Sequence, residues 1–339
     1  MTVAKDDLFL HQPVLIRSLI DKISPVRGTW VDCTFGAGGY SEALLAAGAN
    51  KVIAVDRDPH VIVEAAKLQK FYGTRLELTE AKFSSLQKVV IEHGSDKIAG
   101  VVFDIGVSSM QIDQAKRGFS FQNDGPLDMR MSQKGISASD IVNNASEEEL
   151  ADIIYYYGEE RFARVIARAI LSKRMLKPIT TTSQLADIVR NVIKKSRPRN
   201  KKEVNSATRT FQALRIAVNN ELEELNLGLM AAEKILEEGA ILAVVSFHSL
   251  EDRLVKHFIK SRSKISSGQS RYLPDQESNS PTFRELFSKV VKPDSEEIYH
   301  NPRARSAKLR IAIKLASGTN RNKFMEIKFP KVNLSMRIE

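Results

Sequence analysis

Between residues 29 and 104, four short apolar runs alternate with helical stretches, and no other feature limits the possible folds as much. Residues 29–34 are β-rich and break into Phe35-Gly-Ala-Gly-Gly39, after which 41–47 read as helix. Residues 51–56 form a second apolar strand ending in Asp56, and Asp58-Pro59 caps a helix running to residue 70. Residues 75–79 are a third strand, and 98–104 a fourth ending in Asp104. Strands alternating with helices predict a parallel sheet covered on both faces, with ligands at the carboxyl ends of the strands.

The next all-apolar run is 240–246, so 135 residues separate it from the fourth strand. A βαβ crossover needs about 30. The surplus predicts an inserted domain, and its pattern is helical. Ser146 and Glu149 have capping-box spacing. Phe162, Val165, Ile166, Ala169 and Ile170 form one stripe, and 181–193 make a further helix. Phe211, Leu214, Val218, Leu222 and Leu225 lie on one face of a single long helix returning to the sheet. Beyond the fifth strand the pattern gives a helix over 250–259, a Ser/Gly-rich flexible loop over 261–280, and a closing strand pair from 285–291 and 306–315.

The glycine turn alone says little. It lets a backbone approach a ligand and presents free helix amides, yet it serves equally as a bare strand-to-helix turn. Asp56, about 20 residues further on, suits the ribose hydroxyls of NAD and of S-adenosylmethionine (AdoMet) alike. Two details favour AdoMet. The turn is G-x-G-G without the final glycine of the dinucleotide pattern, since position 41 is Ser, and Asp104 faces the place of a transferred group. Asp104 also reads as a helix N-cap. The sole cysteine, Cys33, lies inside the first strand as a small core residue. It excludes an intramolecular disulfide and an all-cysteine metal site, and its placement argues against methyl transfer to pyrimidine carbon, which needs a thiol nucleophile. No metal is expected.

Nine motifs then occur in order: His11-Gln-Pro-Val14, Asp32-Cys-Thr-Phe-Gly-Ala-Gly-Gly39, Asp56-Arg-Asp-Pro59, Asp104-Ile-Gly-Val-Ser-Ser109 with Gln111, Arg117-Gly-Phe-Ser-Phe121, Asp124-Gly-Pro-Leu-Asp-Met-Arg-Met131, Arg209-Thr-Phe-Gln-Ala-Leu-Arg215, Ser246-Phe-His-Ser-Leu-Glu-Asp-Arg253 and Asn301-Pro-Arg-Ala-Arg305. Over residues 11–315 they resemble the bacterial 16S rRNA (cytosine-N4)-methyltransferases of the MraW type. The resemblance implies AdoMet-dependent methylation of the exocyclic N4 amine of a cytosine in the decoding region of 16S rRNA, within the small subunit or its precursor. It implies a Rossmann-like class I AdoMet-dependent methyltransferase sheet, residues 1–111 and 216–339, with an inserted all-helical substrate-recognition domain, 112–215. The family's cofactor contacts fall on Gly38, Gly39, Tyr40, Asp56, Phe83, Asp104 and Gln111; Phe83 reads equally as a core aromatic. The D/N/S-P-P-aromatic motif of many amine methyltransferases is missing, since Asp104-Ile-Gly-Val107 stands in its place.

Asp104 and His248 are the candidates for handling the N4 proton, although His248 reads equally as a structural histidine. Phe119 and Phe121, beside Arg117, are candidates to stack on an unstacked base or to pack the insert. The net charge of +10 suits a polyanionic partner. Two basic runs bear on this. Residues 191–202 contain Lys194, Lys195, Arg197 and Arg199 and no acid, and 301–314 contain Arg303, Arg305, Lys308 and Arg310. Each reads as a phosphate contact or a solvated face. A small-molecule or protein methyltransferase, an RNA-binding module with an idle pocket, and a nicotinamide enzyme are the rival readings. No apolar run long enough to cross a membrane and no signal-peptide pattern is present, so a cytoplasmic protein is expected. Oligomeric state stays open, a homodimer included.

Overall fold

The computed structural model describes residues 13–196, 207–263, 280–316 and 331–332. The chain divides into two compact units, Met1–Gly106 with Glu224–Ile327, and Val107–Glu223 with Lys328–Glu339.

The first unit is built on a seven-stranded sheet of order β3-β2-β1-β4-β5-β7-β6. The strands are β1 Thr29–Asp32, β2 Lys51–Asp56, β3 Leu76–Glu80, β4 Ile98–Asp104, β5 Leu236–Ser246, β6 Phe283–Glu285 and β7 Lys308–Lys314. β1 to β5 are parallel; β7 runs antiparallel to β5, and β6 to β7. Val52, Ile53, Ala54 and Val55 are all fully buried, as expected of a parallel strand covered on both faces. Helices Ile16–Ile23, Gly39–Ala46, Val61–Tyr72 and Ser249–Ser263 belong to this unit.

Register sets the depth of the strand ends. Asp32 pairs with Ala54 and Val102, two residues before Asp56 and Asp104 respectively. Side chains two apart on a strand share a face. The three carboxylates therefore point to one face, with Asp32 one repeat deeper. Asp32 is accordingly fully buried, while Asp56 and Asp104 are half-buried.

In the second unit, helices Ala138–Asn144, Glu147–Asp152, Ala163–Arg174, Thr182–Ser196 and Thr208–Asn219 carry the core, and no strand longer than an isolated Pro126–Thr181 bridge occurs among its described residues. The Ser146–Glu149 capping box forms as its spacing predicts, and Ser137–Asp140 makes a second one.

Three sequence expectations are corrected. The long helix through 211–225 is two helices, because Asn220 adopts a left-handed conformation (φ 50°) between Asn219 and Glu221. Asparagine tolerates that geometry and so can end a helix whose apolar stripe continues beyond it. The closing pair uses Phe283–Glu285 rather than 285–291, and Val291 makes only an isolated bridge to Leu309. Of the expected loop over 261–280, residues 261–263 belong to helix Ser249–Ser263 instead, and 264–279 lie outside the described residues.

Candidate active site

The glycine turn is held by a carboxylate. Asp56 Oδ2 accepts the Gly36 amide and Oδ1 the Asp58 amide, both at 2.9 Å. Burial raises the Asp56 carboxyl above its usual range, against the pull of those amides. Gly38 is left-handed (φ 84°) and caps helix Gly39–Ala46, so the turn needs glycine there. The Tyr40 side chain is buried and its hydroxyl donates to the Val14 carbonyl. Phe83 meets Phe103 edge to face, with ring centroids 5.3 Å apart.

Deeper lies Asp32, whose oxygens accept Ser41 Oγ at 2.7 Å and the Thr34 amide at 3.1 Å. Burial pushes its carboxyl up to about 6. Thr34 Oγ1 accepts the Asp104 amide at 2.7 Å, so the glycine-turn strand fixes the end of β4. Asp104 Oδ1 is buried with no hydrogen-bond partner. Its carboxyl lies well above the usual range, first through burial and then through the negative charges of Asp32 and Glu251. Cys33 is buried and burial raises its thiol, which suits a core residue and not a nucleophile. His248 Nε2 lies 2.9 Å from Glu251 Oε1, while Glu251 Oε2 accepts the Phe247 and His248 amides at 2.8 and 3.2 Å. Glu251 thus closes the start of helix Ser249–Ser263, and its own amide donates to His248 Nδ1 at 3.4 Å.

The remaining candidates fall in both units. Within the second unit, Gln111 is buried and its Oε1 accepts the Ser108 amide in a capping box. Arg117 is buried as well, donating to the Arg130 and Met131 carbonyls at 3.1 Å. Its guanidinium lies 5.7 Å from the Phe119 ring. Phe121 packs edge-on against Phe211 at 4.8 Å. These residues carry internal structure. Lys194 and Lys195 are exposed at the end of helix Thr182–Ser196; Arg197 and Arg199 lie outside the described residues. In the sheet unit Arg303 and Arg305 are exposed on the turn Pro302–Ser306. Lys308 and Arg310 instead pair with Asp252, at 2.9 and 2.7 Å.

Known proteins were compared with this chain. A profile of the MraW methylase family matches residues 8–315. The chain belongs to that family. The ribosomal RNA small subunit methyltransferase H of Cereibacter sphaeroides is 52% identical over 304 residues, 90% of each chain. The protein of the same name from Bradyrhizobium diazoefficiens is 54% identical over 303 residues, 89% of this chain and 91% of that one. Among solved structures, an rRNA methylase from Streptococcus thermophilus overlaps 90% of this chain and 98% of its own, at 13% identity and a TM-score of 0.37.

For a methylase of the MraW family, the carboxyl edge of β1, β2 and β4 has the chemistry to hold a cation: three carboxylates on one face, each with a raised pKa. Asp32 of this cluster and Glu251 beside His248 carried no assigned role in the sequence. Asp32 stood inside a motif, and its place at a strand end beside a glycine turn was the available signal. Glu251 likewise stood inside a motif, three residues after His248.

Proposed function

We propose that this methyltransferase acts in the cytoplasm on the exocyclic N4 amine of a cytosine in the decoding region of 16S rRNA, in the small subunit or its precursor. The observation that carries the reading is the buried, unpartnered Asp104 Oδ1 at the end of β4, beside Asp32. An acidic, partly desolvated edge fits AdoMet, which carries a sulfonium charge. When bound, AdoMet supplies a methyl group already activated for attack.

The chain's residues then have definable tasks. The amides of Gly38, Gly39 and Tyr40 would face the methionine carboxylate, Asp56 would hold the ribose hydroxyls, and Phe83 would lie against the adenine. The Gly36, Asp58 and Arg57 amides do not use up the acceptor capacity of the Asp56 carboxylate. Cytosine N4 is a poor nucleophile because its lone pair is delocalised into the ring. Asp104 would accept an amino hydrogen, helping to localise that pair, and would take the proton as the nitrogen–carbon bond forms. A carboxylate raised above its usual range binds a proton more strongly than an ordinary one. His248, held by Glu251, would hydrogen-bond the base. The target base must leave its stack to be reached. Exposed Lys194, Lys195, Arg303 and Arg305 would contact phosphates.

Tritium transfer from methyl-labelled AdoMet to small subunits, naked rRNA and free nucleosides, followed by digestion, tests this reading. Label recovered as N4-methylcytidine from 16S rRNA is the expected result. Label in a different nucleoside, or in protein, would overturn it.

A further inference from the structure

Three consecutive residues near the start of the described chain are fastened one by one to the glycine turn and its surroundings. Pro13 fills the space that a side chain on Gly39 would occupy, since a Cβ there would come within 2.3 Å of Pro13 Cγ. The Val14 carbonyl accepts the Tyr40 hydroxyl. The Leu15 amide donates to Glu297 Oε1 at 2.5 Å. Leu15 is left-handed (φ 59°, ψ 15°), a conformation that bulky residues avoid, and its side chain is buried. Such a backbone persists only where its surroundings over-determine it. Here the anchors are a tyrosine of the turn and a glutamate 282 residues away in sequence. Glu297 is itself fixed, because its amide donates to Asp294 at 2.7 Å, capping helix Ser295–His300.

We propose that Glu297 is a positioning residue for AdoMet binding. It holds 13–15 as a strap across Gly39 and Tyr40, so that the turn presents its amides in one geometry. Without Glu297 the Leu15 amide loses its acceptor, the left-handed backbone relaxes, and Pro13 leaves Gly39. The turn then samples several conformations and binds its ligand more weakly. The role depends on a hydrogen-bond acceptor, not on the negative charge. The proposal rests on the reading of this edge as the AdoMet site.

The test is a set of single substitutions, each measured by AdoMet calorimetry and by single-turnover methyl transfer to small subunits. Glu297→Ala is expected to weaken AdoMet binding about tenfold, while the rate at saturating AdoMet falls less than about threefold. Tyr40→Phe removes the second anchor and is expected to show the same split. Glu297→Gln keeps the acceptor and is expected to stay within about twofold of the unaltered chain. Glu296→Ala, an exposed neighbour with the same charge change, should leave AdoMet affinity alone. Wild-type affinity in folded Glu297→Ala overturns the proposal. So does a Glu297→Gln as weak as Glu297→Ala, which would assign the effect to charge. Failure of the unaltered chain to bind AdoMet would instead overturn the reading of the site, and the proposal with it.

Discussion

The acids at the strand ends of the sheet unit and four acids of the helical unit are treated in opposite ways. In the helical unit they hold the fold together. Asp140 and Glu149 close capping boxes with Ser137 and Ser146. Asp124 accepts the Ser183 and Gly125 amides, which hold its carboxyl below the usual range. Burial would raise Asp128, but a bidentate Arg130 outweighs it and lowers the carboxyl. At the strand ends of the sheet unit, Asp32, Asp56 and Asp104 are all raised, burial being the main cause in each. Like charges placed together out of water destabilise the ligand-free protein. An arrangement that costs stability, and that a cation would relieve, fits the proposed AdoMet site, whereas Asp124, Asp128, Asp140 and Glu149 of the helical unit already have partners of their own.

The largest effect that would break this contrast is on catalysis. Asp104→Asn keeps the shape but cannot take a proton. Single-turnover methyl transfer at saturating AdoMet should fall at least about 100-fold, equivalent to about 2.7 kcal/mol, with the unfolding midpoint unchanged or higher. A wild-type rate would remove Asp104 from the chemistry.

Next comes the pH dependence of stability. A carboxyl raised from 3.8 to about 6 in the folded state favours folding below the lower value, and that advantage is lost as pH rises through the higher one. Denaturant titrations of the ligand-free protein should show Asp32 contributing a loss of roughly 2 kcal/mol between pH 4 and pH 6, out of about 3 kcal/mol in all. Asp32→Asn should flatten that part of the curve. An identical curve for the variant would mean that Asp32 is not strained by its charge.

The converse holds in the helical unit. Asp128→Asn should cost about 1 kcal/mol of stability at pH 7 and leave AdoMet affinity untouched; a stabilised variant would erase the contrast. The smallest expected effect at fixed salt is on RNA contact. Changing Lys194, Lys195, Arg197 and Arg199 together to Ser should reduce the salt dependence of RNA binding by a slope of about 3 if all four touch phosphate, with AdoMet binding unchanged. An unaltered slope would leave the run as a solvated face.

Much of the sheet was legible because buried parallel strands are written as continuous apolar runs. β2 and β4 match the pattern residue for residue. β5 starts earlier, at Leu236, since Glu237-Glu238-Gly239 carries the composition of a turn. Position along the chain settled where Asp56 and Asp104 sit, at the ends of β2 and β4. Asp32 was harder to read because its depth follows from strand register, which only the assembled sheet determines. Gln111 and Arg117 show the opposite limit. Their polarity announces a need for partners but not which ones, and both find theirs within the protein's own backbone.

The central claim is that the raised carboxylates at the strand ends receive a cation. Calorimetry of AdoMet binding between pH 6 and 7.5, in buffers of different ionisation enthalpy, counts the protons exchanged. A cation arriving beside Asp32 and Asp104 lowers their pKa, so binding should release protons. S-adenosylhomocysteine, which lacks the sulfonium charge, should release fewer. Equal proton counts for the two ligands, or no release for either, would contradict the account.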